Sequence, residues 1–457
     1  MIEPVPMPAP TSSTWAVLRD TTFRSLKHRD YRLYFFGQIV SFTGTWMQSA
    51  ALMWLVWDAT DDPAWPPRLL VASVGPTLLF GTWGGAIADR VPKRWRIFRT
   101  QIGFLGTALA LAILTITNQV NPWYLFSVQL VNGLIQSVDL PTRLAFVPDL
   151  VPRQDLINAV SLNSLLFNSA RAIGPAMAGG LFVLAENLIT FGGLTGVRSV
   201  TLGAGACFIL NAISFVAVLM ALQRIHATGE PLRAASDAPE EPRSFWTGLR
   251  YIFARPKLAA LLALTGVLSV FGWPVLSLLP AYTRLVHNLG EKEYSLLVSG
   301  LGAGALIGAL ITATFGSTAR RGLFLTLGAG LGATGMAGLT AAGTMPMAVI
   351  AASCLGFGLV LFLSTGQSAL QLSATDDVRG RVMALWAMTL SASAPLGHLL
   401  AGELAKANGV TPVMAGMTLG VAVVAMAVAI VALTRGWQVD QPTIVEDAKE
   451  TERIPSH

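Results

Sequence analysis

Charge is scarce in this chain: only 12% of its 457 residues are Asp, Glu, Lys or Arg, about half the share of an ordinary soluble domain. A soluble enzyme is thereby excluded. Cysteine is scarcer still. Cys207 and Cys354 are the only two, and both lie in apolar runs, so neither a disulfide framework nor a CxxC metal or redox site is available. The first thirty residues carry Pro4, Pro6, Pro8 and Pro10 and then basic positions. They lack the apolar core of a cleavable signal, which leaves the first true span as the insertion signal. No metal cluster, nucleotide loop or catalytic triad is visible, so the chain reads as a non-enzyme that needs no cofactor beyond a proton gradient. The formal charge of +6 is spread between apolar runs rather than gathered on a globular patch, which argues against nucleic acid as a partner.

Apolar residues make up 53% of the chain and recur in runs of about 20, the length that crosses a bilayer. The expected fold is an all-α polytopic membrane protein. Its twelve candidate spans lie at about 31–57, 67–88, 97–117, 123–141, 157–184, 199–221, 258–282, 295–315, 322–342, 346–370, 382–404 and 411–434. An even number of spans with the N-terminus inside puts 25 of the 31 Lys and Arg on the cytoplasmic side. Arg68, Arg198, Arg284, Lys292 and Lys406 fall outside, and Arg171 lies within a span. This asymmetry predicts a multi-pass protein of the inner membrane with both termini cytoplasmic.

The predicted organisation is a disordered tail (1–22), a six-helix bundle (23–221), a polar linker with an amphipathic helix (222–257), a second six-helix bundle (258–434) and a second tail (435–457). Phe245, Leu249, Ile252 and Phe253 share one face of that amphipathic helix. The halves resemble each other when shifted by 223 residues: Gly174, Ala178 and Gly179 fall on Gly397, Ala401 and Gly402. Internal duplication is a common way to build a transporter, and it predicts two pseudo-symmetric bundles around a central path.

Between the second and third spans runs Gly85-Ala-Ile-Ala-Asp89-Arg90-Val-Pro92-Lys93-Arg94. This segment resembles the loop motif of the major facilitator superfamily, Gly-x3-Asp-Arg/Lys-x-Gly-x-Arg/Lys-Arg/Lys, matched at Gly85, Asp89, Arg90 and Arg94, with Pro92 in place of the second glycine and Trp95 in place of the last basic residue. The resemblance implies a conformational latch: Asp89 caps a helix of the other bundle, and Arg90, Lys93 and Arg94 pair with an acid on the fourth span. Asp139 is the candidate acid. Its alternatives are a proton site or a solvated interfacial carboxylate.

Asp139 belongs to a polar stripe, Gln129, Asn132, Gln136, Asp139 and Arg143, at three- and four-residue steps. Similar stripes mark the first span (Gln38, Ser41, Thr45, Gln48), the seventh (Thr265, Ser269, Trp273, Ser277) and the tenth (Ser364, Gln367, Ser368, Gln371). They line a substrate cavity with Trp46, Phe271 and Trp273 in one reading; in the other they make interhelical hydrogen bonds alone. Arg171 would lie about 21 Å along the fifth helix, inside the hydrocarbon. It must bind substrate, pair between helices or clamp carbonyls, because Arg keeps its proton.

Directly after Arg171, Gly174, Pro175 and Gly179 resemble the fifth-span antiporter motif of the same superfamily, with Ala170 and Ala178 replacing glycines. They imply a hinge and an exporter. Acids within the membrane are few, so His398 and Glu403 on the eleventh span join Asp139 as candidate proton sites, although Glu403 is close to the external surface. Taken together, the basic N-terminal helix, Gln38, the Gly85–Arg94 loop, Asp139-Leu-Pro-Thr-Arg143, Asn158-Ala, Gly174-Pro175 and Arg379-Gly-Arg381 resemble the secretion-effector branch of the superfamily, which includes siderophore exporters and macrolide efflux pumps. The resemblance implies proton-coupled export of amphiphilic organic molecules. The expected partners are such a substrate and the lipid bilayer, with the chain able to act as a monomer. A same-fold importer and a membrane assembly factor are the alternatives.

Overall fold

The computed structural model describes residues 23–88, 92–192, 198–229, 245–315 and 321–435. Among these the chain is helical nearly throughout. Six long helices form the first half: α1 (Arg29–Thr60), α2 (Trp65–Ala88), α3 (Lys93–Ile116), α4 (Pro122–Leu150), α5 (Leu156–Gly192) and α6 (Ser199–Arg224). The short α7 (Phe245–Phe253) precedes the second half, which comprises α8 (Pro256–Gly272), α9 (Val275–Leu285), α10 (Glu291–Phe315), α11 (Arg321–Ala341), α12 (Met345–Ser373), α13 (Asp376–Asn408) and α14 (Val410–Arg435). Among the described residues, ten segments are long and apolar enough to cross a membrane, α8 and α9 counting together as one. The remaining two, α2 and α4, pack on each other and are 24 and 29 residues long. The α4 stripe of amides and charges lowers its mean hydropathy without shortening it.

The sequence predicts one continuous seventh helix, and the structure breaks it at Gly272-Trp273-Pro274. Proline has no amide hydrogen to donate and its ring clashes with the preceding turn, so the helix cannot run through it undisturbed. The break leaves Trp273 at a joint between two helical pieces.

Solvation is inverted relative to a soluble domain. Leu79, Ile113, Leu144, Phe191, Ile350 and Leu419 are exposed, whereas Gln38, Gln101, Asp139 and Asn211 are buried. This is the pattern of a surface that faces lipid and an interior that shelters polar groups. Within the first half, α1 packs on α5 and α6, α2 on α4, and α3 on α4 and α6; within the second, α10 and α11 pack on α12, α11 on α14, and α8 on α13 and α14. The halves meet mainly through two helix pairs, α5 with α10 and α2 with α13. Counted as spans these are five with eight and two with eleven, so a shift of six spans exchanges one pair for the other.

The internal repeat appears at atomic detail in the same places. A Cβ placed on Gly174 would lie 2.6 Å from Trp46 Cβ, on the first span; its counterpart Gly397 abuts Val270 and lies 2.8 Å from Pro274 Cγ, on the seventh. A Cβ on Gly179 would lie 2.8 Å from Ser295 Cβ on the eighth span, and one on Gly402 would lie 2.7 Å from Pro67 Cγ on the second. Glycine is needed at all four positions because the neighbouring helix occupies the space of a side chain.

Candidate substrate pathway

The N-terminal turn Arg24–Lys27 marks one end of the molecule, called here the near end. It docks on the α4–α5 connection: Ser25 Oγ donates to Asp155 O (2.9 Å), while Arg24 Nε and His28 Nε2 lie 2.6 and 2.7 Å from the Asp155 carboxylate. At this end Lys93 Nζ pairs with Asp149 (2.8 Å), and Arg94 donates to the carbonyls of Leu222 (2.8 Å) and Gln223 (3.0 Å) at the C-terminus of α6. A cation suits the free carbonyls of a helix C-terminus. Gly85 lies near the end of α2, and Asp89 and Arg90, on which the latch expectation centres, lie outside the described residues.

Asp139 does not pair with Lys93 or Arg94. It sits ten residues, about 15 Å, deeper along α4 than Asp149, and its partner is Arg143 one turn away, with Arg143 Nε 2.5 Å from Asp139 Oδ2. Thr100 Oγ1 and Gln101 Nε2 of α3 donate to the other Asp139 oxygen (2.5 and 3.2 Å), and Arg143 also donates to Gln38 Oε1 of α1. A carboxylate this deeply buried needs such partners.

Asp139 and Arg143 line a cavity of about 270 Å³ together with Thr45, Gln48, Gln129, Asn132, Gln136 and several aromatics, among them Phe42, Phe104 and Phe215. All its walls belong to α1–α6. Several lining groups are also bonded to one another: Asn211 Nδ2 donates to Gln48 Oε1 (2.8 Å), Asn132 Nδ2 to Gln129 Oε1 (2.9 Å) and Thr107 Oγ1 to Asn132 Oδ1 (2.7 Å). The two readings of the stripes therefore coexist in the first half.

The second-half stripe residues are not part of this cavity. Ser269 is buried, Thr265 donates back to Leu261 O (2.8 Å), and Phe271 lies against Gly420 of α14. Gln367 is exposed, and Gln371 lines a separate cleft with Ser368, Leu372 and Arg379. A hydroxyl that returns to the preceding turn, as that of Thr265 does, is satisfied without water, whereas Ser269 Oγ is buried without a partner.

Arg171 occupies the middle of α5, enclosed by three aromatic rings. Its Cζ is 5.0 Å from the Trp46 ring, 5.4 Å from Phe167 and 5.0 Å from Trp273. Trp46 and Phe167 meet edge to face at 5.8 Å. The residues come from α1, α5 and the α8–α9 joint, so the cage spans both halves. Phe167 was missed in the sequence, although its i, i+4 spacing to Arg171 was a usable signal.

At the far end the halves are closed on each other. Arg68 Nη2 and Nε donate to Glu403 Oε1 (2.6 and 2.9 Å), and Lys406 Nζ donates to Asp62 Oδ2 (2.6 Å). Ser199 Oγ lies 3.3 Å from Glu291 Oε1, and Trp54 stacks on Tyr294 at 5.5 Å. Glu403 is thus a strut between α2 and α13. Lys406 and Arg68 hold the Asp62 carboxyl below its usual range: burial acts to raise it and is outweighed by the Lys406 and Ala64 hydrogen bonds and the nearby cations. His398, the repeat counterpart of Pro175, has Nδ1 2.9 Å from Ser277 Oγ of α9.

Two helical halves joined face to face by spans two and eleven and by spans five and eight define a multi-pass transporter of the major facilitator superfamily, not an enzyme. More narrowly, the chain belongs to the transmembrane secretion effector family, which it matches over residues 12–446. It is 27% identical over 391 residues to the enterobactin exporter EntS of Shigella boydii serotype 18 (strain CDC 3083-94 / BS512), covering 82% of this chain and 85% of that protein. It is 26% identical over 287 residues to the staphyloferrin A transporter of Staphylococcus aureus (strain NCTC 8325 / PS 47), covering 61% of this chain and 66% of that protein. Among solved structures, a bacterial homologue of the human lysosomal transporter Spinster, in an inward-facing and unoccupied conformation, superposes with a TM-score of 0.64 at 14% identity, over 89% of this chain and 98% of that one. A bacterial homologue of ferroportin, inward-facing, gives 0.62 at 17% identity, over 88% and 98%.

Proposed function

We propose that this protein exports amphiphilic organic molecules, siderophores among them, across the inner membrane by alternating access, driven by a proton gradient, with both termini in the cytoplasm. The observation that carries this reading is the closure of the two halves on each other at the far end. The three polar links described between them, Arg68–Glu403, Lys406–Asp62 and Ser199–Glu291, all lie at the far end. With the near end cytoplasmic, as the Lys and Arg distribution suggests, that is an arrangement closed to the outside. Rocking the halves about the α5–α10 and α2–α13 contacts would break these links and open the opposite face. The names of the exporter relatives support the direction. The polar and aromatic lining of the first-half cavity suits an amphiphile.

For coupling, Asp139 is the candidate proton site, because protonating it would release Arg143. Glu403 is engaged at the far end, where breaking its link to Arg68 would accompany opening. The test is transport by everted membrane vesicles carrying the protein and given an inward-acid pH gradient. Accumulation of enterobactin or staphyloferrin A that collapses with a protonophore is the expected result. Uptake that is absent, or that runs in the opposite direction, rejects the export reading.

A further inference from the structure

We propose that Arg171 is an anion receptor, selecting within the class of amphiphiles proposed above those that carry a negative charge beside a flat aromatic face. The inference rests on that reading for its biological meaning, but its geometry stands alone. Trp46, Phe167 and Trp273 surround the guanidinium at 5.0–5.4 Å. Ring faces stabilise a cation through their quadrupoles, yet they neither neutralise it nor accept strong hydrogen bonds from its N–H groups. Arg171 Nε is buried without a hydrogen-bond partner. No carboxylate pairs with Arg171 among the described residues.

The acids that could compensate it are committed elsewhere, Asp139 to Arg143 and Glu403 to Arg68. The charges described in the middle of the spans, Asp139, Arg143 and Arg171, leave one positive charge uncompensated. A carboxylate, phenolate or sulfonate entering the cage would supply that charge and the missing acceptors in one bidentate, charge-assisted contact.

The cage is preorganised and reachable. Close approach of α1 to Gly174, one turn beyond Arg171, fixes the backbone at Trp46, and the edge-to-face contact with Phe167 fixes the ring. Trp46 and Phe167 also line the 270 Å³ cavity, so a ligand entering there meets the two rings that hold Arg171. Its aromatic part would stack where the guanidinium now rests, and Trp273 would bring the second half into contact with it. A cationic ligand would meet a like charge in a low-dielectric site, which gives selection by repulsion as well as attraction.

The test uses two probes with one xanthene framework and opposite charge, fluorescein and rhodamine 123. Each is titrated by tryptophan quenching into the purified full-length protein in nanodiscs, with empty nanodiscs subtracted. The expected result is at least tenfold tighter binding of fluorescein by the wild type, retained in Arg171→Lys. In Arg171→Gln the preference disappears or inverts, because an aromatic cage emptied of its own cation suits a foreign one. Trp273→Leu keeps the charge and removes one wall, so it weakens both dyes and leaves the preference in place. It carries the test alongside Arg171→Lys if Arg171→Gln does not fold.

Equal binding of the two dyes by the wild type, binding of neither, or an undiminished fluorescein preference in folded Arg171→Gln overturns the proposal. A normal preference combined with no transport in vesicles rejects the export reading and leaves the anion receptor intact.

Discussion

Arg68 and Glu403 join the second span to the eleventh, with two guanidinium nitrogens on one carboxylate oxygen at 2.6 and 2.9 Å. Both side chains are partly exposed, 28% and 51%, so the pair contributes only about 0.2–1 kcal/mol. That small size suits a contact that the proposed alternating-access cycle would break at each turn. A link of several kcal/mol would hold the molecule in one state.

Removing the link should shift the conformational balance without unfolding the protein. Glu403→Gln is expected to raise the labelling rate of a cysteine placed near the α1–α2 connection a few-fold, with thermal unfolding in detergent unchanged. The charge swap Arg68→Glu with Glu403→Arg should restore slow labelling. A swap that labels like the single variant would show that the pair does not close the far end.

The Lys406–Asp62 link should be indifferent to physiological pH. Because the folded-state pKa of Asp62 is lowered, its contribution is fully present above the ordinary carboxylate value of about 3.9 and is lost as pH falls through the lowered one. Far-end labelling is therefore expected to follow the same pH profile in the wild type and in Asp62→Asn from about pH 8 to 5. A transition near pH 6 that disappears in Asp62→Asn would contradict this assignment.

Asp139→Asn strips Arg143 of its carboxylate in a buried setting, and breaking such a pair typically costs about 3–5 kcal/mol. A markedly lower melting temperature is expected. The double variant Asp139→Asn with Arg143→Gln, which leaves neither charge of the pair buried without the other, should recover most of that stability while remaining inactive in gradient-driven efflux. Normal proton-coupled efflux in the folded double variant would remove Asp139 from the coupling mechanism.

The four glycines at the helix contacts divide into two expected phenotypes. Gly174→Val drives a side chain into α1 within one half and should destabilise the fold by about 1–3 kcal/mol, the usual cost of overpacking. Gly402→Val wedges α2 from α13 at the far end and should instead favour the open arrangement, read as faster far-end labelling. Gly180→Val serves as the control, since a Cβ there meets nothing within 4 Å. Equal losses at positions 174 and 180 would mean that the α1–α5 approach is not limiting.

Much of the fold was legible from local pattern. The spans, the N-terminal turn with its basic residues, the helix at residues 245–253 and the duplication at 223 residues all follow from apolar run length, punctuation and recurrence. The first-half stripe was legible too, since Gln129, Asn132, Gln136 and Asp139 recur on one face of a single helix and do line the cavity. Spacing did not resolve the second-half stripe: Trp273 joins the cage around Arg171, while Thr265 and Ser277 satisfy their hydroxyls on their own helix, an option that spacing alone does not distinguish from exposure to water. The break at Pro274 was signalled by the proline itself, and a continuous apolar run concealed it.

By itself, the sequence determined that this chain crosses the membrane many times, which faces of its helices carry polar groups, and that Arg171 lies too deep to reach water along its own helix. These properties depend on transfer of side chains between water and hydrocarbon, and that term sums along the chain. Only the tertiary structure decided who meets whom across helices: Asp139 with Thr100 and Gln101 rather than Lys93 or Arg94, Glu403 with Arg68, and Arg171 with rings from positions 46 and 273. Pairing depends on which helix faces come within a few ångströms of one another. Here the close approaches at Gly174, Gly179, Gly397 and Gly402 set that geometry between residues far apart in the chain.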